Sequence, residues 1–252
     1  MTKNNHPDLL QQFAAKDRRA LARILSLVES GEAPETPSAK TETQTRVVGI
    51  AGSGGAGKST LVGALVKFLR EQGLTVAVLA SDPQSPRTGG ALLGDRIRVT
   101  MDPNDDGIYF RSLSTRGAPG GVAAAVQNAI PWLKQFGFDV VLVETVGIGQ
   151  DQTAVRDVVE TLVLVVTPGT GDEIQWEKAG VIELADILAV NKADMPGADR
   201  VRHQLRGALS LSPGAENIPI LATIATSGEG VPELWEAVVE HQDSLAEFGD
   251  SN

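Results

Sequence analysis

The chain contains no cysteine, and its three histidines, His6, His203 and His241, lie far apart among the 252 residues. The absence of thiols excludes disulfides and thiolate metal sites, and the scattered histidines form no ligand motif for a soft metal ion. No apolar run approaches the ~20 residues that a membrane-spanning helix needs. The polar residues 1–10 also lack the apolar stretch of a secretory signal. These absences predict a cytoplasmic protein with no membrane partner.

Positive charge is also scarce, because 22 basic residues face 32 acidic ones and the net charge is -10. An acidic chain repels nucleic acid unless its basic residues gather in a patch, and the pair Arg96 and Arg98 is too short to form one. We therefore expect no nucleic-acid partner, and we interpret the acidity as solvation of the surface.

The first part of the chain predicts a helical arm. Apolar residues recur at helical spacing from Leu9 to Ser30, and a segment rich in Pro and Thr follows from Gly31 to Thr45. We therefore divide the chain into an N-terminal helical arm with its linker, 1–45, and a main domain, 46–252. The arm is expected to pack on its own domain, and docking on a partner is the alternative.

In the main domain, short apolar runs alternate with helical stretches. The runs are rich in Val, Ile and Leu, which is typical of strands buried on both faces of a sheet. We predict strands at Val47–Ala51, Thr75–Ala80, Val140–Glu144, Thr161–Val166, Ile187–Val190 and Ile218–Ala222. We predict helices at Ser59–Gln72, Gly121–Gln135, Asp172–Leu184, Asp199–Leu209 and Pro232–Ala246. This order predicts an α/β fold with a doubly wound, mostly parallel sheet and helices on both faces.

A phosphate-binding loop follows the first predicted strand. The segment Gly52-Ser53-Gly54-Gly55-Ala56-Gly57-Lys58-Ser59 matches the P-loop pattern and opens a predicted helix. Glycines let the backbone curl so that N–H groups point at phosphate oxygens, and the helix N-terminus adds its positive dipole end. Lys58 supplies charge for the β- and γ-phosphates, and Ser59 supplies a hydroxyl ligand for Mg²⁺. The predicted nucleotide ligands of this P-loop NTPase are Gly52, Gly54, Gly55, Ala56, Gly57, Lys58, Ser59 and Thr60.

Acidic residues stand where two other predicted strands end. Glu144 can hold a magnesium-bound water, and Gly147 can bring its N–H against a γ-phosphate. Asp82 is a second candidate near magnesium, and Asp95 reaches the phosphates if the intervening loop folds over them. Arg87 in that loop is either a phosphate contact or a solvated residue. An ordinary exit from the strand is the alternative interpretation of Glu144.

The predicted catalytic group combines metal binding with charge stabilisation. Asp82 and Glu144 would organise magnesium, while Lys58 would offset the charge that develops on the phosphates. No residue is identified that positions the attacking water, which fits a switch protein whose partner completes the site.

A guanine site is predicted at the end of the strand Ile187–Val190. There the sequence reads Asn191-Lys192-Ala193-Asp194. The Asp194 carboxylate can accept hydrogen bonds from guanine N1–H and the 2-amino group, and adenine lacks that pair of donors. The Lys192 stem can cover the base, and Asn191 can tie adjacent loops together. A simple turn after a strand is the alternative.

With these motifs together, the chain resembles the GTPase chaperones of adenosylcobalamin-dependent acyl-CoA mutases, the MeaB/ArgK type within the SIMIBI class of P-loop GTPases. The resemblance extends from about Lys16 to about Gln242. It is carried by the P-loop, Ser81-Asp82-Pro83, Arg87-Thr88-Gly89-Gly90, Leu93-Gly94-Asp95, Gly120-Gly121-Val122-Ala123, Val143-Glu144-Thr145-Val146-Gly147-Ile148-Gly149-Gln150, Thr170-Gly171-Asp172, Lys178, Glu183-Leu184-Ala185-Asp186 and Asn191-Lys192-Ala193-Asp194.

The resemblance implies slow GTP hydrolysis that a mutase partner stimulates, and a GTP state that gates adenosylcobalamin loading or protection of that mutase. The mutase would be a methylmalonyl-CoA mutase or a related isobutyryl-CoA or 2-hydroxyisobutyryl-CoA type. The resemblance also implies bound Mg²⁺ and GTP or GDP, no tightly held cobalamin, and a homodimer.

By position, the resemblance places Asp82, Asp95 and Glu144 near magnesium. It places Gly171, Asp172 and Lys178 in a mobile loop that signals to the mutase. Ile224 stands where the family usually has Ser, so the last base contact is expected to use backbone near Ala225.

Three other classes share the scaffold. A metabolic kinase would need a base beside an acceptor hydroxyl, and no such motif is present. A nickel-insertion or other maturation GTPase is the main alternative, but it calls for clustered His or Cys. A membrane-targeting GTPase calls for an amphipathic basic segment, and none is found.

Overall fold

The computed structural model describes residues 6–36, 44–81, 105–113, 121–145, 155–169 and 182–249. These residues contain one seven-stranded sheet. The strands are β1 Arg46–Gly52, β2 Val76–Ser81, β3 Ile108–Leu113, β4 Val140–Glu144, β5 Thr161–Val166, β6 Ile187–Asn191 and β7 Ile220–Thr223. They lie in the order β3-β2-β4-β1-β5-β6-β7, and all six neighbouring pairs are parallel. The predicted doubly wound, parallel α/β fold is therefore confirmed.

The helices cover both faces of this sheet. They are α1 Pro7–Ala14, α2 Arg18–Ser30, α3 Lys58–Glu71, α4 Gly121–Phe136, α5 Ala198–Leu209 and α6 Val231–Gly249, with a short 3-10 turn at Ile182–Leu184. Alternate residues of each central strand point to opposite faces, so that Val47 packs in the core with α1, α2, α4 and α5, while Val48 packs in the core with α3 and α6. Among the described helices, none is both long and apolar enough to cross a membrane.

The arm differs from the predicted single helix over Leu9 to Ser30. Lys16 adopts a positive φ of 63°, which ends the α-helical path. The carboxylate of Asp17 then caps α2, accepting hydrogen bonds from the N–H groups of Arg19 and Ala20 at 2.6 and 3.2 Å. The apolar spacing continues through this break, which is why the sequence pattern conceals it.

The arm packs against α4 and the edge strand β3. The Phe13 ring meets Trp132 edge-on, with 5.2 Å between centroids, and Lys16 Nζ donates to the Phe136 carbonyl at 2.5 Å. Arg111 on β3 donates to the Ala22 carbonyl at 3.0 Å and pairs with the Glu29 carboxylate. The apolar side chains of the arm join the core cluster of one sheet face. The boundary at residue 45 stays a sequence prediction.

Strand β3 was not predicted from the sequence. Its burial alternates irregularly, and its half-buried residues include Arg111 and Ser112, so it lacks the apolar run of the central strands. It lies at the sheet edge beside β2, where polar residues are tolerated. The other predicted strands lie within two residues of the observed bounds. Of the predicted helix Asp172–Leu184, only Ile182–Leu184 is described, as a 3-10 turn, and residues 172–181 lie outside the described part of the chain.

Candidate nucleotide-binding site

The P-loop connects the carboxyl end of central strand β1 to α3. Two of its glycines are required by close contacts. A Cβ on Gly52 would lie 2.3 Å from the Val165 carbonyl oxygen of β5, and one on Gly57 would lie 2.4 Å from Asn191 Nδ2. Gly57 also has φ 90°, a region that L side chains disfavour. The loop is therefore held against both β5 and the end of β6.

The first turn of α3 faces this loop with open N–H groups. Gly57 is its N-cap, and no side chain caps the helix. The first N–H groups of an α-helix have no partner within the helix, and together with the dipole they favour an anion. The residues of this turn are Lys58, Ser59 and Thr60, as the phosphate prediction requires.

Lys58 lies buried inside the loop. Its Nζ donates to the carbonyl oxygens of Gly52 at 2.9 Å and Ser53 at 2.8 Å. Burial lowers the pKa of the Lys58 ammonium below its ordinary value, and the nearby charge of Glu144 partly opposes this. The two loop carbonyls therefore hold the ammonium inside the P-loop.

Ser59 and Glu144 meet beside this ammonium. The Ser59 hydroxyl donates to Glu144 Oε1 at 2.5 Å. Strand pairing explains the meeting, because Glu144 on β4 lies opposite Ile50 on β1, just before the P-loop. Hydroxyl and carboxylate oxygens are ligands that Mg²⁺ prefers, so the donor set fits this ion. Among the described residues no group of three or more His, Cys, Asp or Glu that could hold a metal is found.

Asn191 joins the P-loop to the loop after β7. Its Nδ2 donates to the Ala56 carbonyl at 3.0 Å, while its Oδ1 accepts from the Ala225 N–H at 3.1 Å and from the Thr223 hydroxyl at 3.3 Å. Asn191 is buried, so these bonds lie away from water. The Ala225 N–H, predicted to face the base, donates to Asn191 in this structure, and its contact with a nucleotide stays a prediction.

A cavity of about 210 Å³ adjoins the P-loop. Its lining residues are Gly57, Thr60, Asn191, Lys192, Asp194, Met195, Ile224, Ala225 and Thr226. Lys192 has φ 57° and donates through Nζ to the Gly55 carbonyl at 2.9 Å, so its stem lies along one side of the cavity. Asp194 lines the same cavity, and its contact with guanine stays a prediction.

The predicted residues that the structure describes gather in two adjoining groups. The first group is the P-loop with the start of α3 and the end of β4: Gly52, Gly54, Gly55, Ala56, Gly57, Lys58, Ser59, Thr60 and Glu144. The second group lines the cavity: Asn191, Lys192, Asp194 and Ala225. Their contacts with a nucleotide stay predictions. The predicted residues Asp82, Arg87, Asp95, Gly147, Gly171, Asp172 and Lys178 lie outside the described residues.

Two further residues belong to the site although sequence reasoning did not select them. Met195 lines the cavity, and 43% of its surface is exposed. Ser53 lies inside the P-loop and is buried. Met195 could have been found from the sequence, because it directly follows Asp194. The burial of Ser53 has no signal in the sequence.

The family model "Methylmalonyl Co-A mutase-associated GTPase MeaB" matches residues 21–252. The chain belongs to this MeaB family. It is 45% identical over 251 residues to a Pyrococcus horikoshii protein that carries a GTPase name, covering 96% of this chain and 79% of the relative. It is also 38% identical over 248 residues to the fused isobutyryl-CoA mutase of Cupriavidus metallidurans, covering 92% of this chain and 23% of that protein.

A solved structure shares the fold of this MeaB-family chain. A crystal structure of a LAO/AO transport system kinase superposes with a TM-score of 0.75 at 24% identity, covering 98% of this chain and 79% of the other. This likeness concerns the fold, which agrees with the parallel sheet and the P-loop after β1.

Proposed function

We propose that this MeaB-family protein binds Mg²⁺ and GTP and hydrolyses GTP slowly to GDP and phosphate. We further propose that its nucleotide state controls adenosylcobalamin loading or protection of an acyl-CoA mutase. The observation that carries the proposal is the meeting of Lys58, Ser59 and Glu144 at one end of a site whose other end is a cavity containing Asp194.

The phosphate end of the site would bind and orient the triphosphate. Loop N–H groups and the open N-terminus of α3 would hold the α- and β-phosphates, and Lys58 would reach the β- and γ-oxygens. Ser59 would be a direct ligand of Mg²⁺, with Glu144 holding the ion through water. When bound, Mg²⁺ supplies positive charge at the phosphates.

Water attack would depend on a partner. The described part of the site contains no group with a clear role in positioning water, and slow intrinsic hydrolysis is typical of GTPases that act as switches. The fused isobutyryl-CoA mutase supports a mutase as this partner, because its polypeptide contains a segment 38% identical to this chain. The proposal includes both loading and protection of the cofactor as possible outcomes of this control.

The first experiment measures binding and turnover of GTP and ATP by the full chain with Mg²⁺. We expect GTP to bind at least about 100-fold more tightly than ATP, as a site that leaves a polar group unpaired with the wrong base would produce. Lys58→Ala should reduce hydrolysis by about 1,000-fold or more, while Lys67→Ala, an exposed lysine of the same helix, should not. Equal affinity for ATP would contradict the proposal.

The second experiment tests the partner. The chain is mixed with purified acyl-CoA mutases in the presence of a non-hydrolysable GTP analogue or GDP, and complex formation and GTP turnover are measured. We expect a nucleotide-dependent complex with one mutase and faster hydrolysis inside it. If no mutase alters the rate of GTP hydrolysis, the proposed GTPase activity stands and the chaperone role is rejected.

A further inference from the structure

Met195 brings a sulfur atom to the candidate nucleotide-binding cavity. The chain has no cysteine, and its three methionines are Met1, Met101 and Met195. Met195 lines the cavity beside the P-loop, and 43% of its surface is exposed. A methionine side chain is long, unbranched and flexible, so exposure on this scale leaves its thioether open to small solutes. A peroxide in solution therefore meets a thioether at this cavity and no thiol anywhere in the chain.

The turn after β6 holds Met195 in this place. The Met195 N–H donates to the Lys192 carbonyl at 2.9 Å, and the Met195 carbonyl accepts from the Ala198 N–H at 3.4 Å. Lys192 is tied to the P-loop in turn, because its Nζ donates to the Gly55 carbonyl at 2.9 Å. Met195 directly follows Asp194, which lines the same cavity. The methionine is therefore fixed next to the acid that is predicted to select guanine.

Oxidation would change the chemistry of this cavity wall. The sulfur lone pair of Met195 forms a bond to one oxygen of hydrogen peroxide and the O–O bond breaks. The second oxygen takes up the proton of the first and leaves as water, so the sulfur loses two electrons and the peroxide gains them. The product, methionine sulfoxide, is polar where the thioether was apolar. In a cavity of about 210 Å³, a bound purine would strip water from this new polar oxygen, which is unfavourable without a new partner.

We propose that Met195 is a redox modification site at which a peroxide lowers the affinity for guanine nucleotides. A bound nucleotide would occupy the cavity that Met195 lines, so it also shields the thioether, and the free and bound forms of the protein differ in their sensitivity to peroxide. This inference rests on the proposed function, because it adds a form of regulation to the same nucleotide site.

The first measurement follows oxidation of the full chain by dilute hydrogen peroxide. Peptide mass spectrometry gives the rate of sulfoxide formation at Met195, with added N-acetylmethionine as the internal reference for the oxidant. Without nucleotide, we expect a rate within about 10-fold of this reference. GDP with Mg²⁺, at about 100 times its dissociation constant, should slow the reaction by at least about 10-fold, since few molecules are then free of nucleotide. A rate at Met195 that GDP leaves unaltered, in a chain that binds GDP, would overturn the inference.

The second measurement compares the wild type with Met195→Leu, whose apolar side chain is of similar volume and forms no sulfoxide. Calorimetry gives the GDP affinity of each protein before and after peroxide. After oxidation we expect the wild type to bind GDP about 10-fold more weakly and Met195→Leu to change by less than about 2-fold, as burial of an unsatisfied polar group predicts. Met1 and Met101 stay in both proteins, so their oxidation affects both alike. Equal losses of affinity in the two proteins would reject the proposal.

A failure of the proposed function and a failure at Met195 give different results. A wild-type chain that binds no guanine nucleotide would reject the proposed function, while the mass spectra of the nucleotide-free chain would still report oxidation at Met195. No sulfoxide at Met195 under conditions that convert the reference would overturn the inference alone. A clearly lower melting temperature of the oxidised wild type without nucleotide would also overturn it, because the loss of affinity would then come from unfolding.

Discussion

The Ser59 hydroxyl donates to Glu144 Oε1 at 2.5 Å and joins the first turn of α3 to the end of β4. The two residues are 85 positions apart in the sequence, and the parallel pairing of β1 with β4 brings them together. The bond orients both proposed magnesium ligands before any ion arrives. A change at Glu144 should therefore affect metal-dependent binding more than folding.

Glu144→Gln tests this relationship. The glutamine keeps an oxygen that can accept from Ser59 but loses the charge that attracts a hydrated cation. We expect the Mg²⁺ concentration for half-maximal GTP hydrolysis to rise by about 10–100-fold, the range typical of outer ligands of metal sites. Turnover measured across a magnesium titration gives this value. Glu160→Gln, at the opposite end of the sheet, is the control, and an unaltered Mg²⁺ dependence in Glu144→Gln would contradict the assignment.

A substitution at Asp194 should change which purine base the site prefers. Asp194→Asn replaces the acceptor for guanine N1–H and the 2-amino group with an amide whose NH₂ can donate to the 2-carbonyl of xanthine. We expect GDP to bind about 10–100-fold more weakly and xanthosine diphosphate to bind more tightly than in the wild type. Competition between the two nucleotides measures the shift. Asp199→Asn, whose side chain is 90% exposed on α5, should leave it unchanged, and guanine preference retained in Asp194→Asn would refute the base site.

The central sheet could be predicted because its strands are buried on both faces. Strands β4 and β5 consist of fully buried residues, and their apolar runs match the predicted bounds. Strand β3 could not be found in this way, because Arg111, which bonds to the arm, interrupts its apolar pattern. The break at Lys16 was hidden for the opposite reason, since the apolar spacing continues through it.

Site residues were predictable where a motif fixes their chemistry. The P-loop and the strand ends identified Lys58 and Glu144, because the carboxyl ends of parallel strands meet at one edge. The burial of Ser53 depends on elements that are distant in sequence, as does the donation of the Ala225 N–H to Asn191. Such relationships are properties of the packed structure and leave no local pattern.

The arm should contribute to stability through Arg111. This side chain donates to the Ala22 carbonyl and the Ser26 hydroxyl, each at 3.0 Å, and pairs with Glu29. Arg111→Ala removes these contacts while leaving α2 in the core. We expect the free energy of unfolding to fall by about 2–4 kcal/mol, below the ~3–5 kcal/mol for breaking a fully buried pair, because both side chains keep some exposure to water. Urea denaturation measures it, with the more exposed Arg202→Ala on α5 as control. A loss under about 0.5 kcal/mol would show that the apolar contacts alone hold the arm.

The start of β3 should make stability depend on pH through Asp105. Arg70 of α3 donates to Asp105 through Nε and Nη2, each at 2.9 Å, and the Gly107 N–H donates at 2.7 Å. The hydrogen bonds from Arg70, followed by that from Gly107, lower the pKa of the Asp105 carboxyl below its ordinary value. Its ionised form therefore stabilises the fold at every pH above the ordinary carboxyl pKa of ~3.9. That contribution is lost as the pH falls through the lowered pKa of the folded state.

Asp105→Asn should accordingly be less stable than the wild type by about 1 kcal/mol at pH 7, a value reduced for the partial solvent exposure of the pair. The difference should shrink below pH ~4 as the wild-type carboxyl takes up its proton. Urea denaturation at pH 7 and at a series of pH values below ~4 measures both quantities, with Asp106→Asn, an exposed neighbour, as the matched control. A stability difference that stays constant across this pH range would show that Asp105 acts through its shape and not through its charge.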